Sequence, residues 1–175
     1  TSDVQLVDGD AKAVDIGSGN YWAKAGSTST AYSNNRFQHP TGNPGTLGAV
    51  YTEGGVPKGY DGDFIFEGRI FSLLTVTSPW RGLQVGTSSI SMEDEGYAVL
   101  TVYVNAVNTM KWYGSAVSNS SAADTSGLVK IQADGTALKV YVDGVLKVTG
   151  TRPSGTLYLK MGVQSGSFTY AAAIQ

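Results

Sequence analysis

Few residues in this chain can do covalent chemistry. Its 175 residues include no cysteine and one histidine, His39. Thiolate nucleophiles, thiolate metal sites and any metal site needing two histidines of one chain are therefore excluded. The densest group of carboxylates is Glu93-Asp94-Glu95. Retaining glycosidase chemistry needs two carboxyl groups roughly 5 Å apart, and successive residues of a strand alternate between its faces. Glu93 and Glu95 would share a face and Asp94 would oppose them; followed by Gly96, the trio reads as a solvated acidic turn. Asp61 with Asp63, and Asp8 with Asp10, have the spacing of short oxygen-ligand turns. Asp61 and Asp63 are thus candidate ligands for a structural calcium, although Asp-Gly is also ordinary hairpin chemistry.

Binding chemistry is better represented. A pyranose ring presents C–H faces that stack on aromatic rings, while amides and charged groups orient its hydroxyls. Tyr97, Tyr103, Trp112 and Tyr113 supply the rings, with Tyr103 and Trp112 expected to contact a sugar. Gln84, Lys160 and Gln164 alternate with Leu83, Val85, Leu159, Met161 and Val163, so they are expected to point away from the core onto one sheet face. The other reading of the aromatics is sandwich core or cross-strand pairing, since strands are rich in them anyway.

The elements that must position these residues are strands. Leu128 to Thr149 reads as three consecutive antiparallel strands punctuated by Asp134-Gly135 and Asp143-Gly144, pairs suited to the φ > 0 turns of hairpins. Val129, Ile131, Leu138, Val140, Val142, Leu146 and Val148 are expected inward. Phe64 to Val76 has apolar residues at both parities and reads as a central strand. Further strands are expected around Leu83, over 97–104, around Trp112, from Thr156 to Val163 and from Phe168 to Ala173. No helical period lasts two turns. About a dozen short strands with turns every 8 to 12 residues give an all-β, two-sheet antiparallel jelly-roll sandwich.

Totals bound the rest. At this length, 41% hydrophobic residues suffice for one domain with a real core, and 23 glycines spread between apolar runs mark tight turns. One domain is expected over 1–175, with 1–35 as a partly extended N-terminal arm. Twelve basic against 14 acidic residues leave no basic footprint for nucleic acid. No apolar run of 18 residues exists to insert in a membrane. The N-terminal residues lack the basic and apolar blocks of a signal peptide, so either a leader has been removed, or the chain is a piece of something larger, or it takes another route.

Three segments resemble the strand signatures of the concanavalin A-like superfamily, which includes laminin-G-like modules, legume-type lectins and polysaccharide lyases: Gly62 to Ser72, Pro79 to Ser88 and Gly127 to Val148. Tyr158 to Gly166 is similar to the segment that closes the alginate lyase family. Gln84-Val85-Gly86 stands where that family has Gln-Ile/Val-His, and Arg36-Phe37-Gln38 where it has Arg-Ser/Thr-Glu. The resemblance implies that Arg36, Gln84 and Lys160 bind an acidic sugar on a concave sheet, with Gln38 and Gln164 beside them. The lyase base and acid positions hold Gly86 and Gln164, and proton abstraction without a suitable base loses orders of magnitude in rate. His39 or Tyr103 would have to stand in. Glucanases of the superfamily carry Glu-x-Asp-x-Glu, which the consecutive Glu93-Asp94-Glu95 does not match.

The expectation is therefore a non-catalytic, lectin-like module, extracellular or on the cell surface. It recognises a polysaccharide through Arg36, Gln38, Gln84, Tyr103, Trp112, Lys160 and Gln164, requires no cofactor beyond a structural calcium, and is free or attached to a larger protein. The alternatives are a self-assembling virion or cell-surface component and a lyase with an atypical base.

Overall fold

The computed structural model describes residues 21–25, 31–33, 36–38, 47–53, 56–71, 80–89, 98–104, 110–117, 120–122, 127–164 and 167–174. Asp8, Asp10, His39, Glu93, Asp94, Glu95 and Tyr97 lie outside them. Every strand pairing among the described residues is antiparallel, and two sheets result. The nine-stranded sheet runs β1 (Tyr21–Ala25), β4 (Leu47–Glu53), β15 (Leu157–Gln164), β8 (Trp80–Gly86), β9 (Leu100–Val104), β10 (Met110–Tyr113) and β11 (Ser120–Ala122). Short β5 (Val56–Pro57) pairs with β4, and β6 (Gly59–Tyr60) with β15. The seven-stranded sheet runs β14 (Val145–Thr151), β13 (Ala137–Val142), β12 (Gly127–Asp134), β7 (Phe64–Phe71), β16 (Ser167–Ile174), β3 (Arg36–Gln38) and β2 (Ala31–Ser33). Within the stretch expected as an arm, Tyr21–Ala25 and Ala31–Ser33 are edge strands of the two sheets. Among the described residues no helix is long and apolar enough to cross a membrane.

The 128–149 stretch folds into β12, β13 and β14 for the reason its alternation gives. Val129, Ile131, Leu138, Val140 and Val142 are buried between the sheets, and their neighbours are half-exposed. Asp143 and Gly144 both take positive φ, 49° and 81°, as a type I′ hairpin turn requires. Gly135, at φ 58°, opens the other two-residue loop, where a type II′ turn needs glycine first.

One inward assignment fails. Leu146 is 50% exposed, because the register slips on β14: Tyr141 pairs with Leu146 but Val140 pairs with Val148. Lys147 is the extra residue of a β-bulge, and a bulge breaks strict alternation. Val148 still packs on the core while Leu146 turns out beside Tyr141. The same bulge blunts an edge strand that carries exposed Val145 and Leu146, a common device against edge-to-edge pairing.

β7 is central, between β12 and β16. Phe64 and Phe66 fill the core, and Gly68 lets the sheets approach: a Cβ there would sit 2.8 Å from Leu83 Cδ2. Across the sandwich Leu83, Val85, Leu100, Val102, Leu157 and Leu159 complete the core from β8, β9 and β15.

Candidate functional site

Packing decides which residues the nine-stranded sheet turns away from its partner. Leu83 and Val85 enter the core from β8, so Gln84 between them must point to the outer face. The same parity puts Lys160 of β15, Thr101 and Tyr103 of β9, and Lys111 and Tyr113 of β10 on that face. The registers then align them. Lys160 stands opposite Gln84, Gln84 opposite Thr101, and Thr101 opposite Tyr113, one row across four strands. In the next row Gly162 stands opposite Gly82, Gly82 opposite Tyr103, and Tyr103 opposite Lys111.

Gly82 is required where it is. A Cβ there would be 2.7 Å from Tyr103 Cβ and would run into the Val102 carbonyl oxygen. With Gly162 beside it, the strip next to Tyr103 has a floor of bare backbone.

The first row is polar and buried. Gln84 Nε2 donates to Thr101 Oγ1 at 3.0 Å, and Gln84, Thr101 and Lys160 each have 0% exposure. A buried ammonium is tolerable only when paired, and Lys160 is not an unpartnered charge. As the chain stands, these three form the foundation of the face and do not meet solvent. Its accessible part is the rim on β10. Lys111 and Tyr113 are half-exposed, and the Tyr113 ring stacks on Tyr103, with centroids 5.7 Å apart and planes at 19°, within the range of favourable aromatic pairs.

Several expected ligand residues are placed elsewhere. Trp112 is buried in the core with Met110, because both share the inward parity of β10; it cannot stack on a sugar at the outer face. Arg36 and Gln38 lie on β3 of the seven-stranded sheet, so they do not join Gln84 and Lys160 on one sheet as the lyase resemblance implied. Gln164, by contrast, shares β15 and the nine-stranded sheet with Lys160, opposite Trp80 in register. The accessible pair is Tyr113, a member of the aromatic set but not one of the expected contacts, and Lys111, which was not expected at all. The signal for them is the alternation Met110-Lys111-Trp112-Tyr113, once Met110 is known to face inward.

Asp61 and Asp63, the candidate calcium ligands, are engaged within the chain. Asp61 Oδ1 accepts from Thr156 Oγ1 at 2.6 Å, and Asp63 Oδ1 accepts from the Gly135 amide at 2.8 Å. Arg152 Nη1 lies 4.0 Å from Asp63 Oδ1, a cation where a calcium ion would need more oxygen. Among the described residues no three acidic or histidine side chains gather to hold a metal. The two aspartates instead brace loops.

No protein-family model matches the chain, and no curated protein matches it. Solved structures do. The carbohydrate recognition domain of Emp47p superposes with a TM-score of 0.63 at 11% identity, covering 99% of this chain and 94% of that one. The carbohydrate binding module CBM66 from Bacillus subtilis gives 0.56 at 13%, covering 87% and 95%. Alginate lyase AlgAT5 of polysaccharide lyase family 7 gives 0.53 at 17%, covering 95% and 83%. The fold is a concanavalin A-like jelly roll. At these identities the likeness concerns architecture alone, across lectin-type domains and enzymes alike.

Proposed function

We propose that this protein is a carbohydrate-binding module that holds a polysaccharide on the outer face of its nine-stranded sheet without cleaving it. The observation that carries the reading is half-exposed Tyr113, stacked on a buried Tyr103 that is itself out of a sugar's reach, with half-exposed Lys111 beside it at the rim of that face. An aromatic surface already stacked from below is rigid, so a sugar ring that docks on Tyr113 costs little side-chain ordering. Lys111 adds a flexible cation that favours glycans bearing carboxylates. Gln84, Thr101 and Lys160 underlie this surface and keep the strands in register.

Binding is favoured over cleavage because Gly86 and Gln164 stand where the resembling lyases carry a His and a Tyr. The architecture shared with the Emp47p domain and CBM66 is compatible with the same use. With a polysaccharide partner, the location this reading carries is outside the cell or on its surface. The test is retention on polysaccharide-containing native gels by wild type, Tyr113→Ala and Lys111→Ala. Tyr113→Ala is expected to weaken binding at least about tenfold, as loss of an aromatic anchor does. Lys111→Ala should weaken it mainly at low salt. Undiminished retention of Tyr113→Ala removes the site from this face.

A further inference from the structure

Away from both sheet faces, three turns meet at one end of the sandwich and enclose an open pocket of about 270 Å³. They are residues 61–63 before β7, 135–136 between β12 and β13, and 152–156 before β15. Hydrogen bonds cross-brace them. The Gly135 amide donates to Asp63, Thr156 to Asp61, and the Arg152 amide to the Thr136 carbonyl at 2.8 Å. The Arg152 guanidinium donates to the Gly62 carbonyl at 2.5 Å and the Tyr60 carbonyl at 3.1 Å, and its side chain is 7% exposed. The walls are therefore set before any ligand arrives, which lowers the ordering cost of binding.

What the walls present is selective. Asp61 spends one carboxylate oxygen on Thr156 and keeps the other as an acceptor. Thr136 and Ser154 offer exposed hydroxyls that both donate and accept, and half-buried Pro153 offers an apolar C–H surface. The charges balance: Asp61 opposes an anion, and Arg152, with two of its five N–H donors held by carbonyls, opposes a cation. The volume is slightly below the roughly 300–1,000 Å³ of pockets for drug-sized ligands, so one ring fits and a chain does not. We propose that this pocket is a second carbohydrate site, distinct from the sheet face, which takes a single neutral sugar unit such as the exposed end of a glycan.

The test is titration of the ¹⁵N-labelled protein with glucose, mannose, galactose and fructose, followed by amide chemical shifts. At least one sugar is expected to give saturable shifts, in the millimolar range, at Gly135, Thr136, Ser154 and Gly155, with Lys111 and Tyr113 unmoved. Asp61→Asn keeps an acceptor for Thr156 but loses the charge, and should weaken the response about tenfold or more. Ser154→Trp, at an exposed position, should fill the mouth and abolish it; thermal midpoints near wild type verify both folds. Shifts confined to β9 and β10, no shift with any of the four sugars, or equal responses in both variants overturn the proposal. So does a pocket response to acetate or ammonium as large as that to the sugars. The polysaccharide retention of Tyr113→Ala reports on the sheet face separately, so either site can fail without the other.

Discussion

Replacing Trp112 separates core from ligand surface. The side chain is 3% exposed, packed between the sheets, and its buried Nε1 has no hydrogen-bond partner among the described residues. Truncation of a buried aromatic typically costs about 3–5 kcal/mol through lost transfer energy and the cavity left behind. In a chain of this length about 1 kcal/mol moves the thermal midpoint roughly 2–4 °C, so Trp112→Ala is expected to lower it by about 6–20 °C. Trp112→Phe behaves differently. It removes some apolar volume but also an unsatisfied donor whose burial costs about 1–3 kcal/mol; the two effects oppose, and the net change is expected within about 1 kcal/mol. Calorimetry and urea unfolding read both variants, and polysaccharide retention is measured well below the Trp112→Ala midpoint, where binding should persist. A midpoint for Trp112→Ala within a degree or two of wild type, with binding abolished, would take Trp112 out of the core and put it on the ligand face.

Three further outcomes follow from the packing and charges. Gly68→Ala places a Cβ 2.8 Å from Leu83 Cδ2 and should cost about 1–3 kcal/mol by overpacking; combined with Leu83→Ala it should show a favourable coupling above about 0.5 kcal/mol in a double-mutant cycle. Arg152→Ala removes charge-assisted bonds to the part-buried Tyr60 carbonyl and the exposed Gly62 carbonyl and should destabilise by about 1–2 kcal/mol in urea unfolding, with Arg152→Lys a poor rescue because an ammonium lacks the fork that reaches both. Burial, then Glu53, pushes the Tyr51 hydroxyl up to about 12, and burial, then Tyr51 and Glu53, raises Tyr60 as well. Both native tyrosines therefore hold their protons where the unfolded chain loses them, so stability should be level below about pH 10 and fall from there towards pH 12. Urea midpoints across pH 8 to 12 would show that slope, and Tyr51→Phe should flatten part of it.

Much of the fold is legible locally. The alternation of Leu128 to Val142, the two Asp-Gly turns and the apolar parity of Leu83 and Val85 determine strands and inward faces because each depends on neighbours in sequence. Leu146 does not follow, since a bulge at Lys147 is a property of the pairing with β13 and not of β14 alone. Trp112 and Tyr113 are adjacent aromatics of opposite parity; which one faces the core depends on how β10 registers with β9. Arg36 belongs to a three-residue strand whose own sequence cannot say which sheet it joins. Gln84 and Lys160 share the outer face as alternation demands, yet their burial is tertiary and no pattern of spacing announces it. The aspartates at 61 and 63 look like metal ligands until Arg152 and Thr156, about ninety residues later in the chain, are seen to claim the same turn.

Glycan binding by this face is read most simply in a glycan-array screen at neutral pH, with and without calcium, using wild type and Tyr113→Ala. Any hit is followed by absorbance in the unsaturated-uronate band. Saturable wild-type binding to at least one polysaccharide is expected, weakened about tenfold or more in Tyr113→Ala, with no growth of absorbance. Folded wild-type protein that binds no glycan, or a hit whose absorbance grows with time, would contradict binding without cleavage.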